Sequence, residues 1–122
     1  LSMKPYQDAR VEGEKLAKQY AELEKADQVD FFNGSEAYYS VLGHNKKQEA
    51  IAVLIEKNDH KIYVYQLDKG ISQDKAATIS REKGVGDIDK ITFGRYQDKP
   101  IWEVKSGNHY YLVNFETGAV IQ

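Results

Sequence analysis

The chain has 122 residues, 41% hydrophobic and 30% charged, with a formal net charge of −2. That length fits one compact unit or two small halves sharing a core, and the charge provides no basic face of the kind nucleic acids select. The chain has no cysteine, which excludes disulfides, zinc–thiolate sites and cysteine nucleophiles together, and it has no apolar run of ~18 residues to cross a membrane as a helix.

Leu1-Ser2-Met3 reads as a remnant ahead of a truncated start, so a natural N-terminal segment is expected upstream. Residues 6–27 read as a first helix. Ala9, Gly13, Leu16, Tyr20 and Leu23 recur at spacings of four and three, which makes one apolar stripe. Glu14 stands four residues before Lys18 on a mixed-charge face that reads as solvated. "VDFFNGSEAYYSV" follows, with Asn33-Gly34 between aromatic runs as a hairpin signal, because both residues tolerate positive φ. Asn33-Gly34-Ser35 also matches a glycosylation acceptor, and the turn is the stronger reading. "EAIAVLIEK" and "KIYVYQL" read as strands joined near Asn58-Asp59.

A second helix is expected from Ser72, an N-cap, with Ile71 and Ala76 placed as a hydrophobic staple and Gly84 as its left-handed stop. Ala76, Ala77 and Ile79 are expected to face a sheet near Trp102 and Val104. The strands "KITFGRY", "PIWEV" and "HYYLVNF" follow, with turns at Asp98-Lys99-Pro100 and Ser106-Gly107-Asn108. The element order is helix and three strands, then the same again. It predicts an α+β fold of two halves, residues 1–69 and 70–122, each a helix on an antiparallel sheet.

Chemical constellations are sparse. Ser72-Gln73-Asp74-Lys75, Ser106-Gly107-Asn108 and Glu116-Thr117-Gly118 imitate the three motifs of penicillin-recognising enzymes. Glu116, however, puts a negative charge where such a site needs a lysine. His44, His60 and His109 are far apart and lack ligand spacing. Asp87-x-Asp89 has Ile91 where a calcium loop needs an oxygen, and Gly84-x-Gly86 has Asp89 in place of a third glycine and precedes a strand. No catalytic residue, cofactor site or metal site is therefore expected. Tyr63 and Tyr65 share one strand face, with Ile62 and Val64 on the other. If the aliphatic face is core, the two tyrosines form a partner-binding surface; cross-strand aromatic packing is the competing explanation.

From Gly70 onward the chain resembles a PepSY domain. The resemblance rests on Ile71-Ser72 with Ala76, on Pro100-Ile101-Trp102-Glu103-Val104, and on Val113-Asn114-Phe115-Glu116-Thr117-Gly118-Ala119-Val120, with Asn114 replacing the usual aspartate. Over its whole length, through "ADQVDFFNGSEAYYSV" and "GISQDKAATI", the chain resembles the YpmB/TseB-like family of Gram-positive bacteria. That resemblance implies tandem PepSY-like halves with a cystatin-like helix-on-sheet arrangement. It also implies an N-terminal membrane anchor, a domain on the extracytoplasmic face, and regulation of cell-wall elongation by contact with a penicillin-binding transpeptidase. It carries over no catalytic residue. The alternative it leaves is a PepSY-type protease inhibitor or propeptide-like chaperone module.

Overall fold

The computed structural model describes residues 5–121, with side chains from residue 10 onward. The elements in chain order are α1 (Pro5–Tyr20), β1 (Leu23–Asn33), β2 (Ala37–Asn45), β3 (Ala50–Glu56) and β4 (Ile62–Gln66). A 3-10 turn at Leu67–Lys69 follows, then α2 (Gln73–Glu82), β5 (Lys90–Tyr96), β6 (Lys99–Ser106) and β7 (His109–Asn114). The chain divides into two compact units, residues 1–66 and 67–122. The fold is α+β with two antiparallel sheets, ordered β1-β2-β3-β4 and β5-β6-β7. The first sheet thus has four strands where the repeated order of helix and three strands allowed three: the hairpin expected at Asn33-Gly34 contributes two, β1 and β2, ahead of β3 and β4.

The first helix is shorter than its apolar stripe predicted. It ends at Tyr20, Glu22 takes a φ of 58°, and Leu23–Asn33 runs as a strand paired with β2. Leu23 is buried as the stripe required, but from the strand and not from the helix. Pairing along most of β1 outweighs the helical propensity of "LEKA", a tertiary override of a weak local preference. The ladder shifts register twice, between Leu23 and Lys25 and between Ala26 and Gln28. Gly43 makes this crossing possible, since a Cβ there would lie 2.0 Å from the Lys25 carbonyl oxygen.

α1 packs on the sheet through Leu16 and Ala17. They join Leu23, Val29, Val41, Ile51, Val53 and Ile55 in one core, with Tyr39 and Ile62 half-buried against it. A Cβ at Gly13 would lie 3.1 Å from that of Tyr39, so the missing side chain lets the helix lie on the ring. The other face of the sheet is buried as well, at Phe32, Tyr38, Leu42, Ala52 and Leu54. Burial on both faces explains why β3 reads as the unbroken apolar run "AIAVLI".

In the second unit, Ser72 Oγ accepts the Lys75 backbone N–H at 3.0 Å, the N-cap the sequence predicted. At the other end Val85 N–H donates to the Ser80 carbonyl and Gly84 takes a φ of 97°, a conformation only glycine adopts without strain. The helix buries Ala76, Ala77 and Ser80, while Ile79, expected in the core, is half-buried beside Gly118. Its entry is pinned to the sheet by two bonds at Ile71: Ile71 N–H donates to the Phe115 carbonyl at 2.8 Å, and Trp102 Nε1 donates to the Ile71 carbonyl at 3.0 Å. Trp102, Phe93 and Phe115 meet edge to face around that point, with centroids 5.0–6.4 Å apart.

The turns correct the sequence reading in two places. The β5–β6 turn lies at Gln97 and Asp98, with φ of 51° and 66°, while Lys99 and Pro100 already belong to β6. It is this pair, and not Asn33-Gly34, that takes the doubly left-handed hairpin geometry. β1 and β2 are instead joined by three residues, with Gly34 N–H donating to the Glu36 carbonyl. After β7, Asn114 Oδ1 accepts the N–H groups of Glu116 and Thr117, so the segment that follows the strand is closed by an Asx turn.

Two serines of α2 should respond in opposite directions. Ser72→Ala removes the cap and should lower stability by about 1 kcal/mol. The Ser80 hydroxyl is buried and has no hydrogen-bond partner among the described residues, so Ser80→Ala should raise stability by about 1 kcal/mol. Denaturant midpoints at constant slope check both.

Candidate functional site

The candidate surface is built around β4 and the loops at its end of the first sheet. Tyr63 and Tyr65 point to one face by strand alternation, opposite Leu54 and Ala52 of β3. Both are half-buried, and the Tyr63 ring meets Tyr38 edge-on at 6.2 Å. Tyr38 in turn lies 6.3 Å from Phe32, so Tyr63 ends an aromatic row running across the sheet. On the opposite face Ile62 packs on the core as expected, but Val64 is 49% exposed. The helix packs on β1, β2 and β3, so the half of the aliphatic face carried by Val64 is not core.

Across the sheet, on β1 and β2, the helix-side face carries a second aromatic pair. Phe31 and Tyr39 stack with centroids 5.3 Å apart, and Lys57 Nζ sits 4.6 Å from the Phe31 centroid and 5.9 Å from that of Tyr39. A cation over two rings holds the β3–β4 loop against the sheet. Burial, and then the charge of Glu12, raises the Tyr39 phenol above its usual range.

The loops themselves bring carboxylates together. Lys57 N–H donates to the Ala37 carbonyl at 2.9 Å, which sets the β3–β4 loop beside the β1–β2 loop. Glu56 is hydrogen-bonded to Glu36, and that bond, followed by burial and by Asp59, pushes its carboxyl up to about 7. Asp59 is held below its ordinary value chiefly by the Lys61 N–H that it accepts. Sequence reasoning missed this cluster because Glu36 and Glu56 are twenty positions apart and only the β2–β3 register joins them. The charge pattern alone carried no sign of it.

The remaining singled-out residues serve local structure. Ser72 and Lys75 meet through a backbone N–H, not as a hydroxyl–ammonium pair. Ser106 Oγ donates to the Asp87 carbonyl and Asp89 Oδ2 accepts the Gly107 N–H, which latches the loop after α2 to the β6–β7 turn. His44 Nδ1 lies 3.1 Å from Asp27, His60 stands in the β3–β4 loop, and His109 packs near Tyr111. Among the described residues no group of three or more His, Asp or Glu side chains is placed to hold a metal ion. Among the same residues no helix is long and apolar enough to cross a membrane.

Comparison with known proteins identifies the family. The sequence model of the cell wall elongation regulator TseB-like domain matches residues 12–56. The chain is 34% identical over 113 residues to the probable cell wall elongation regulator TseB of Bacillus subtilis (strain 168), covering 87% of this chain and 70% of that protein. The chain belongs to the TseB-like family. Its fold agrees with the solved YpmB protein from Bacillus subtilis at a TM-score of 0.76 and 30% identity, over 99% of this chain and 97% of that one. The family model runs from the middle of α1 to the end of β3, so its match covers the loop carrying Glu36 as well as Glu56 itself.

The acidic cluster gives a pH prediction. A carboxyl raised in the folded state makes a stabilising contribution that is complete below its ordinary value of 4.5 and is lost as the pH rises through about 7. The melting temperature should therefore fall across that interval, and Glu56→Gln should flatten the fall. Melting curves of the two proteins from acid to neutral pH check it. Superimposable pH profiles would remove Glu56 from the account.

Proposed function

We propose that this chain is the non-enzymatic extracytoplasmic domain of a membrane-anchored regulator of cell-wall elongation, acting by protein contact on a penicillin-binding transpeptidase. The observation that carries the reading is the 34% identity, over 87% of the chain, to a protein named as a probable cell wall elongation regulator. The local roles of Ser72, Ser106 and Glu116-Thr117 support it, since residues that imitate catalytic motifs are accounted for as a cap, a latch and a turn closed on Asn114. We read the two units as tandem PepSY-like halves, the second opening at Ile71-Ser72. The partner surface is assigned to Tyr63 and Tyr65 of β4, where tyrosine offers contact area at low entropic cost.

The test is capture of partners from membranes of the source cell with the purified domain, scored by labelled penicillin. The reading predicts a penicillin-binding protein in the eluate of the parent domain. Tyr63→Ala and Tyr65→Ala should each reduce it by about tenfold, the loss of one modest interface contact. A peptidase in its place would support the inhibitor or propeptide-like alternative and overturn this one.

A further inference from the structure

We infer that β4 is a pairing edge for a second copy of this chain, joining two first sheets antiparallel across a two-fold axis centred on Val64. The inference goes beyond the regulatory reading and does not depend on it. It starts from how the sheet edges are treated. Exposed edges invite strand addition, and proteins blunt them with charge, bulges or a covering segment. β1 carries two register shifts together with Glu24, Lys25 and Asp27. β5 carries Lys90 and Arg95. β7 is covered where Asn114 N–H donates to the Ala119 carbonyl and Ile121 N–H to the Leu112 carbonyl. β4, "IYVYQ", has no charge, no proline and no register shift, and its central Val64 is 49% exposed.

The hydrogen-bond phase of this edge follows from its hairpin. Glu56 N–H donates to the Lys61 carbonyl at 2.8 Å, so these two residues form a bonded pair. Bonded pairs alternate along an antiparallel ladder. The backbone groups of Tyr63 and Tyr65 therefore turn toward β3, and those of Ile62, Val64 and Gln66 turn outward. With Val64 on the axis, Val64 exchanges both bonds with its copy, and Ile62 exchanges bonds with Gln66 of the copy.

The sequence around the axis is its own complement. Tyr63 falls opposite Tyr65 of the copy at the closer, non-bonded spacing, where aromatic cross-strand pairs gain most. Val64 covers Val64 on the other face. The flanks match in charge as well. The axis sets the end carrying Asp59 and Lys61 beside the copy's end carrying Asp68 and Lys69, all four exposed. Such an interface is isologous and closes as a dimer. One short strand edge falls well below the area of a stable interface, so the association is weak and depends on concentration.

Sedimentation equilibrium on the purified chain, up to about 1 mM, is the test. The parent should shift from monomer toward dimer as concentration rises. Val64→Lys places like charges opposite each other on the axis and should weaken association at least about tenfold. Val64→Pro removes an outward N–H that an edge position can lose, and should do the same, with unchanged circular dichroism in both variants. Should either variant fold poorly, hydrogen exchange on the parent still decides. The amides of Ile62, Val64 and Gln66 should slow with concentration while those of Tyr63 and Tyr65 do not change. A parent that stays monomeric throughout, a dimer indifferent to both variants, or slowing confined to other strands would each overturn the proposal.

Discussion

The register of β3 between its two neighbours is the constraint on which the candidate surface depends. A strand with one polar face sets its own register, because a slip by one residue exposes its apolar side. β3 is apolar on both faces, so its side-chain pattern cannot do this. The loops do it instead. At one end Asn45 Oδ1 accepts the N–H groups of Lys47 and Glu49, and Asn45 N–H donates to the Glu49 carbonyl. At the other end Lys57 N–H reaches Ala37 and Glu56 N–H reaches Lys61. These bonds decide which face of β4 carries the tyrosines, which backbone groups point outward, and that Glu36 meets Glu56.

The second unit solves the same problem with a side chain. Its helix is tied to its sheet at Ile71, whose two backbone groups are taken by Phe115 and by the Trp102 indole. Burying an indole is favourable only if its N–H finds an acceptor, and the residue just before the N-cap supplies one. The I-S and P-x-W-E-V motifs are therefore two sides of one contact, with the Asn114 turn supplying the third strand's exit.

Much of this second unit was legible in the sequence, because its signals are local. A cap three residues before its donor, a glycine stop and an apolar helix face all lie within ten or so positions. The first unit was less so. Leu23 satisfied the helical stripe and the strand equally well, and only pairing with Asn45 and its neighbours decides between them. Val64 shared a face with core residues, but a helix that ends its cover at β3 leaves it outside. Asn33-Gly34 signalled a hairpin correctly in place but not in geometry, and Gln97-Asp98 took the left-handed turn without glycine. In each case the deciding contact was distant in sequence.

The contact proposed between the tyrosine face of β4 and a penicillin-binding protein can be tested in the cell. A photo-crosslinking residue at position 65, in cells whose penicillin-binding proteins are labelled with fluorescent penicillin, tests it most directly. That contact should give a labelled adduct from position 65 and none from position 82, at the far end of α2. An adduct from position 82 with none from position 65 would contradict it.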